Sequence, residues 1–218
     1  MTKIHKHAYR LLLNTATLLT LYNGILYFAS VNDFFFYTSI VASILLYFYL
    51  VYSFRNPEIE IINDELSIYS PANATIIGIE EVHDSEFFKH RRMKISLLIS
   101  PFDIQINRIP ISGAIIYSNY SEGNYLFTLR KKELFNIEKS TTVLQTSDNK
   151  TIMISQIGGY LAGRVHIFAD EGMQLKQGDE LGFVKFGSKI EVYLPLEASI
   201  KVQLNQKVNA CSTVLARF

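Results

Sequence analysis

Residues 184–195 read VKFGSKIEVYLP, and the second half of that stretch decides the fold. KIEVYLP, at 189–195, is a short run of Ile, Val, Tyr and Leu closed by Pro195, which reads as a β-strand. Runs of the same kind recur from about residue 58 onward: ATIIGIEEV (74–82), MKISLLIS (93–100), GAIIYSNY (113–120), STTVLQT (140–146), TIMISQIG (151–158) and SIKVQLN (199–205). Turn residues separate them in SPAN (70–73), SDNK (147–150), DEG (170–172) and KQGDE (176–180). Strands at this spacing predict a mainly β domain, a sandwich or partly closed barrel, with few short helices. Helices are expected over 84–92, over 128–137 and at the start of 161–172. The Gly187–Ser188 pair then has two readings: a bulge or bend entering a strand, or a peptide bond that the chain is built to cut.

Three pieces, SPANATIIGIE, EGMQLKQGDELGFV and NQKVNACSTVLA, also read as half-motifs of a barrel-sandwich hybrid, the build of lipoyl and biotinyl carrier domains. On that reading alone the domain is carrier-like, with no chemistry of its own.

The chain begins differently. LLLNTATLLTLYNGILYFA (11–29) and FFFYTSIVASILLYFYLVYSF (34–54) carry no charged residue, and only SVND separates them. Each is as long as a bilayer-spanning helix, which needs about 17–25 residues. Asn14, Asn23 and Gly24 weaken the first run, but it is long for a signal sequence and lacks a small-residue cleavage site. The expectation is an N-terminal hydrophobic helical hairpin. Lys3, Lys6 and Arg10 precede it and Arg55 follows, while the loop carries only Asp33. The positive-inside tendency then places both ends in the cytoplasm. The division expected is a membrane-anchoring hairpin over 1–57 and a β domain over 58–218, the latter on the cytoplasmic face of the cell membrane.

Bulk composition narrows the function. A net charge of +1 with 19% charged residues gives no field that would gather nucleic acid. One cysteine, Cys211, excludes an intramolecular disulfide and a Cys-rich metal site. Phosphate-loop, dinucleotide, zinc-protease and nucleophile-elbow motifs are all missing from the sequence. His5, His7, His83, His90 and His166 are not spaced to share a metal, so no metal site is expected. The carboxylates of EIEIINDE (58–65) and HDSE (83–86) read as solvated faces.

Taken in order, several stretches resemble one family, the short phosphatidylserine decarboxylase proenzymes with an N-terminal hydrophobic hairpin. FRNP (54–57) stands at that family's F-R-x-P step, and SPAN (70–73) at its A-P-A-D-G turn. ISPFDIQINRIPISG (99–113) stands at M-S-P-x-x-V-H-x-N-R-x-P-x-x-G; EKSTTVLQT and QIGGYLAGRV cover the middle, and GDELGFVKFGSKIEVYLP the C-terminal cleavage motif. The resemblance implies self-cleavage between Gly187 and Ser188, giving a β chain of 1–187 and an α chain of 188–218 that stay partners. It implies that Ser188 becomes a pyruvoyl group, the electron sink for turning phosphatidylserine into phosphatidylethanolamine at a membrane. It also makes Arg108 a contact for the lipid phosphate. An oligomer is compatible with it.

Two positions depart from the family. Its self-cleavage is attributed to an Asp-His-Ser arrangement, and here Asn73 stands at the Asp and Gln105 at the His, with Ala74 at the following Gly. Neither amide titrates, so neither can take the proton of a serine hydroxyl. The alternative expectation is therefore an uncleaved, catalytically impaired homologue acting as a membrane-bound lipid-binding or scaffold protein.

Overall fold

The computed structural model describes residues 3–4, 8–56, 64–84, 86–123, 138–158, 165–184 and 188–218. Gly187, the helix expected over 128–137, His5, His7 and the carboxylates of 58–63 lie outside the described residues. The chain divides into two compact units, Met1–Glu58 and Ile59–Phe218.

In the first unit, β1 (Lys3–Ile4) pairs antiparallel with β2 (Arg55–Asn56), and between them run α1 (Tyr9–Phe28) and α2 (Asp33–Ser53). Both helices are long and apolar enough to cross a membrane. Their large side chains are exposed all round, among them Leu18, Ile25, Phe28, Phe35, Leu45 and Phe48. A helix apolar on every side requires an apolar surrounding. The turn is set by Asn32, whose side chain accepts from the Phe34 N–H and caps α2. Asn23 then ties the helices together: its Nδ2 donates to Ser43 Oγ at 2.9 Å, and its Oδ1 accepts from Ser39 Oγ at 2.8 Å. A residue that weakens the first apolar run as sequence is thus the polar clasp of the hairpin.

The second unit is built from β3 (Ser67–Tyr69), β4 (Ala74–His83), β5 (Arg91–Ile99), β6 (Ile106–Arg108) and β7 (Gly113–Ser121). There follow β8 (Lys139–Gln145), β9 (Thr151–Gly158), β10 (Val165–Ile167), β11 (Gln174–Leu175) and β12 (Glu180–Val184). The last strands are β13 (Ser188–Leu194), β14 (Ser199–Ile200), β15 (Lys207–Val208) and β16 (Val214–Arg217). They form an eight-stranded sheet, β11-β7-β8-β9-β13-β5-β4-β15, and two three-stranded sheets, β10-β12-β6 and β14-β16-β3. Every pairing is antiparallel.

The mainly β reading holds. Alternation gives the large sheet an inner face, where Leu97, Ile95, Val192, Ile190, Ile154, Ile152 and Leu144 join one buried core. Phe183 and Ile109 are also fully buried.

Two local expectations need correction. The described residues of 84–92 form no helix: the Asp84 carboxylate accepts from the N–H groups of Glu86, Phe87 and Phe88, as a helix cap would. The chain then reverses at Lys89 (φ 58°), and Asp84 N–H bonds to the His90 carbonyl to close a β4–β5 hairpin. The start of 161–172, where a helix is expected, lies outside the described residues; Val165–Ile167 after it form strand β10, paired to β12. Of SIKVQLN only Ser199–Ile200 form a strand, with the Lys201 N–H still bonded to the Leu215 carbonyl, and Asn205, at φ 65°, turns the chain toward β15.

Candidate active site

β13 lies between β5 and β9 in the large sheet, and Ser188 is its first residue, opposite Ile99 on one side and Gly158 on the other. Ser188 is buried, and its Oγ has no hydrogen-bond partner among the described residues.

Gln105 reaches the same end of the sheet by two routes. Its carbonyl accepts from the N–H of Val184, the last residue of β12. Its Nε2 donates to the carbonyls of Ser100 (2.9 Å) and Asp103 (2.7 Å), and Ser100 directly follows Ile99. The 100–105 turn is closed further by Asp103, which accepts from the Ser100 N–H. Asn73 precedes β4, whose Thr75 pairs with Leu98 of β5. Its Oδ1 accepts from the Ala210 N–H at 2.8 Å, which anchors the 209–213 turn. Ser188, Gln105 and Asn73 therefore gather where β13 and β4 begin and β5 ends. The amides of Gln105 and Asn73 hold backbone there.

Arg108 donates from Nη1 to the Gly178 carbonyl at 2.9 Å and pairs with Glu180, tying β6 to the turn before β12. His83 ends β4 opposite Arg91, at the far end of that ladder from Thr75. His166 pairs with Phe183, the position next to Gly182; it is Gly182 that the strand turns toward the large sheet. His83 is thus remote from the Ser188 end, whereas the His166 carbonyl lies by Gly182 and the Gln156 amide.

Register brings in residues that sequence reading did not single out. Gln156 lies opposite Ile190 on β13 and Ser140 on β8, so it shares the inner face with both, and Ser188 is its diagonal neighbour. Such diagonal neighbours lie about 7–8 Å apart, with their Cβ atoms somewhat closer. Glu138 is buried beyond the start of β8; its carbonyl accepts from the N–H of Gly158, the residue opposite Ser188. Its carboxyl group accepts from Val165 N–H and Tyr120 OH. Asn107 pairs with Gly182, against which the Gln156 amide is packed: a Cβ on Gly182 would lie 2.9 Å from Gln156 Nε2. The sequence did carry a faint signal: IQINR and TIMISQIG each place an amide side chain within a strand-like apolar run.

A profile of the family described as phosphatidylserine decarboxylase matches residues 46–216. The chain is 37% identical to the phosphatidylserine decarboxylase proenzyme of Cytophaga hutchinsonii, over 99% of this chain and 98% of the other. It is 34% identical to that of Amoebophilus asiaticus, over 100% and 97%, and 30% identical to that of Parabacteroides distasonis, over 99% of each. This chain belongs to the phosphatidylserine decarboxylase family. No solved structure matches it. Asn73, Gln105 and Ser188, the three residues singled out from the sequence, thus lie at one end of the large sheet.

Proposed function

We propose that this chain is a membrane-anchored phosphatidylserine decarboxylase proenzyme that cuts itself between Gly187 and Ser188. The observation that carries the reading is Ser188 itself: a buried hydroxyl without a partner, on the first residue of the central strand. A pyruvoyl precursor needs a hydroxyl that can turn onto the preceding carbonyl carbon, and no described group holds the Ser188 hydroxyl elsewhere. Cleavage runs by attack of Oγ on the Gly187 carbonyl carbon; the hydroxyl proton leaves, and the peptide C–N bond breaks to give an ester and a free amine. Loss of the Cα proton expels the Gly187 carboxylate and leaves dehydroalanine. Water then replaces the nitrogen, releasing ammonia and leaving an N-terminal pyruvoyl group, with no oxidant consumed. That ketone supplies the electron sink when the substrate's carboxylate leaves as carbon dioxide.

The chain's own residues hold and place. The hairpin keeps the β domain at the cytoplasmic leaflet, where phosphatidylserine is presented at high effective concentration. Arg108, a cation within the motif that the resemblance rests on, is the residue assigned to the lipid phosphate. With no base at positions 73 and 105, the hydroxyl proton leaves slowly, and loss of general-base help costs about 10²- to 10⁴-fold. Self-cleavage happens once per chain, so a slow step still completes.

A second reading, the uncleaved lipid-binding homologue, draws on one observation: both replacing amides are engaged with backbone groups. Mass spectrometry of the denatured full chain, beside a Ser188→Ala control, separates the two. Two chains meeting at residue 188, the smaller blocked at its N-terminus, support the proenzyme. One intact chain after long incubation, like the control, leaves the second reading standing.

A further inference from the structure

Among the described residues, nine buried side-chain nitrogen and oxygen atoms lack a hydrogen-bond partner, and seven of them belong to five residues: Asn107, Ser140, Thr142, Gln156 and Ser188. All five residues are at least nine-tenths buried. An orphaned polar group costs free energy, so native folds keep such groups few and scattered. Here they are assembled.

The ladders place them on one surface. Ser140 faces Gln156, which faces Ile190, two residues from Ser188; Thr142 is the next inner-face position after Ser140. Gly158 lies opposite Ser188 and carries no side chain to fill the row between Ser188 and Glu138. From the small sheet, Asn107 is turned to the same side, because its partner Gly182 is the point of contact with Gln156. The orphaned groups comprise two amide N–H₂ donors, two amide oxygens and three hydroxyls, with no cation among them.

We infer that Asn107, Gln156, Ser140 and Thr142 form the recognition site for a zwitterionic α-amino-acid headgroup, beside Ser188. This deepens the proposed function and rests on it for the identity of the lipid. The carboxylate of such a headgroup takes the amide N–H₂ groups and hydroxyls, and its ammonium takes the amide oxygens. A neutral set of this kind matches a group of no net charge. It also separates a serine headgroup from an ethanolamine headgroup, which has no carboxylate to accept from the donors.

The test is binding of dihexanoyl phosphatidylserine, dihexanoyl phosphatidylethanolamine and dihexanoyl phosphatidylcholine to the full Ser188→Ala chain in detergent. That background removes processing and turnover, so the result does not depend on whether the native chain cleaves. Phosphatidylserine is expected to bind at least about tenfold more tightly than the other two, since donors left facing no carboxylate are penalised. Gln156→Leu and Asn107→Leu should each abolish that preference while leaving the unliganded melting temperature unchanged or higher, because an orphaned polar group is removed. Thr142→Val, which keeps the shape, should weaken the preference without disturbing the fold. Equal binding of the three lipids overturns the inference. So does a preference that survives the substitutions in a stabilised chain, which would mean bound water only. A fall in melting temperature with the preference retained assigns the cluster a structural role and overturns it as well. The proenzyme reading would fail separately, by an uncut native chain.

Discussion

The side-chain amide of Gln105 donates to the carbonyl of Ser100 at 2.9 Å, one residue beyond the strand position opposite Ser188. Gln105 thus braces its own turn while lying close in the chain path to the Ser188 hydroxyl that the proposed cleavage must activate. Gln105→His should return a titratable group to this end of the sheet. The two-chain fraction at a fixed incubation time, read by denaturing mass spectrometry, should rise, with the cleavage rate up by about 10²-fold or more. The loss of two bonds to carbonyl oxygens should lower stability by about 1–3 kcal/mol. An unchanged cleavage rate in a folded variant would remove position 105 from the chemistry.

Asn73 gives a sharper contrast. Its Oδ1 holds the Ala210 N–H, so Asn73→Ala should cost about 1–2 kcal/mol in chemical denaturation. Asn73→Asp keeps the acceptor and should remain close to the parent. If both variants lose equal stability, the bond to Ala210 is not what that side chain contributes.

Acid should loosen the β4–β5 turn. Burial of Asp84 opposes its ionisation, but the N–H groups of Phe88, Glu86 and Phe87 outweigh it and hold the carboxyl below its usual value. Burial likewise opposes ionisation of Glu191, which Lys189 and Tyr193 hold low through hydrogen bonds. A group with a lowered folded pKa stabilises above its unfolded value, about 4 for a carboxyl, and that stability drains away as pH falls through the folded value. Melting temperature should therefore drop below about pH 4, and Asp84→Asn should start lower at neutral pH and show a flatter acid limb. Parallel curves for the two proteins would contradict this.

The hairpin clasp is testable in the membrane. Asn23→Leu removes the bonds to Ser39 and Ser43, and such interhelical bonds are worth about 0.6–2 kcal/mol in lipid. Cross-linking between cysteines placed on α1 and α2, in a Cys211→Ser background, should fall. Undiminished cross-linking would assign the pairing to apolar packing alone.

What the sequence discloses depends on how local the deciding force is. β4, β5, β7 and β9 were legible to within a residue or two, because apolar runs between turn residues have few other outcomes. The 84–92 segment misleads for a physical reason: Asp84 caps three N–H groups in a turn just as it would in a helix, and the left-handed Lys89 that ends it leaves no mark in composition. Ser188, Gln105 and Asn73 could be found because motif resemblance points to them. Gln156 and Asn107 leave only the faint mark of an amide in an apolar run, and Ser140 and Thr142 none, since what unites the four is ladder register across β13, β9 and β8 and a contact through Gly182. Register is a property of the assembled sheet.

The position of β13 has one further consequence. A break ahead of Ser188 would sever the covalent link to a strand that is laddered to β5 and to β9 along its length, and whose continuation supplies β14, β15 and β16 to both kinds of sheet. The nicked molecule would behave like a fragment-complemented protein. It would migrate as one body under native conditions, melt as one, and come apart only when the whole sheet is denatured. The 31-residue fragment left by that cut would be inseparable from its template, and its new terminus would stay in the interior where it was made.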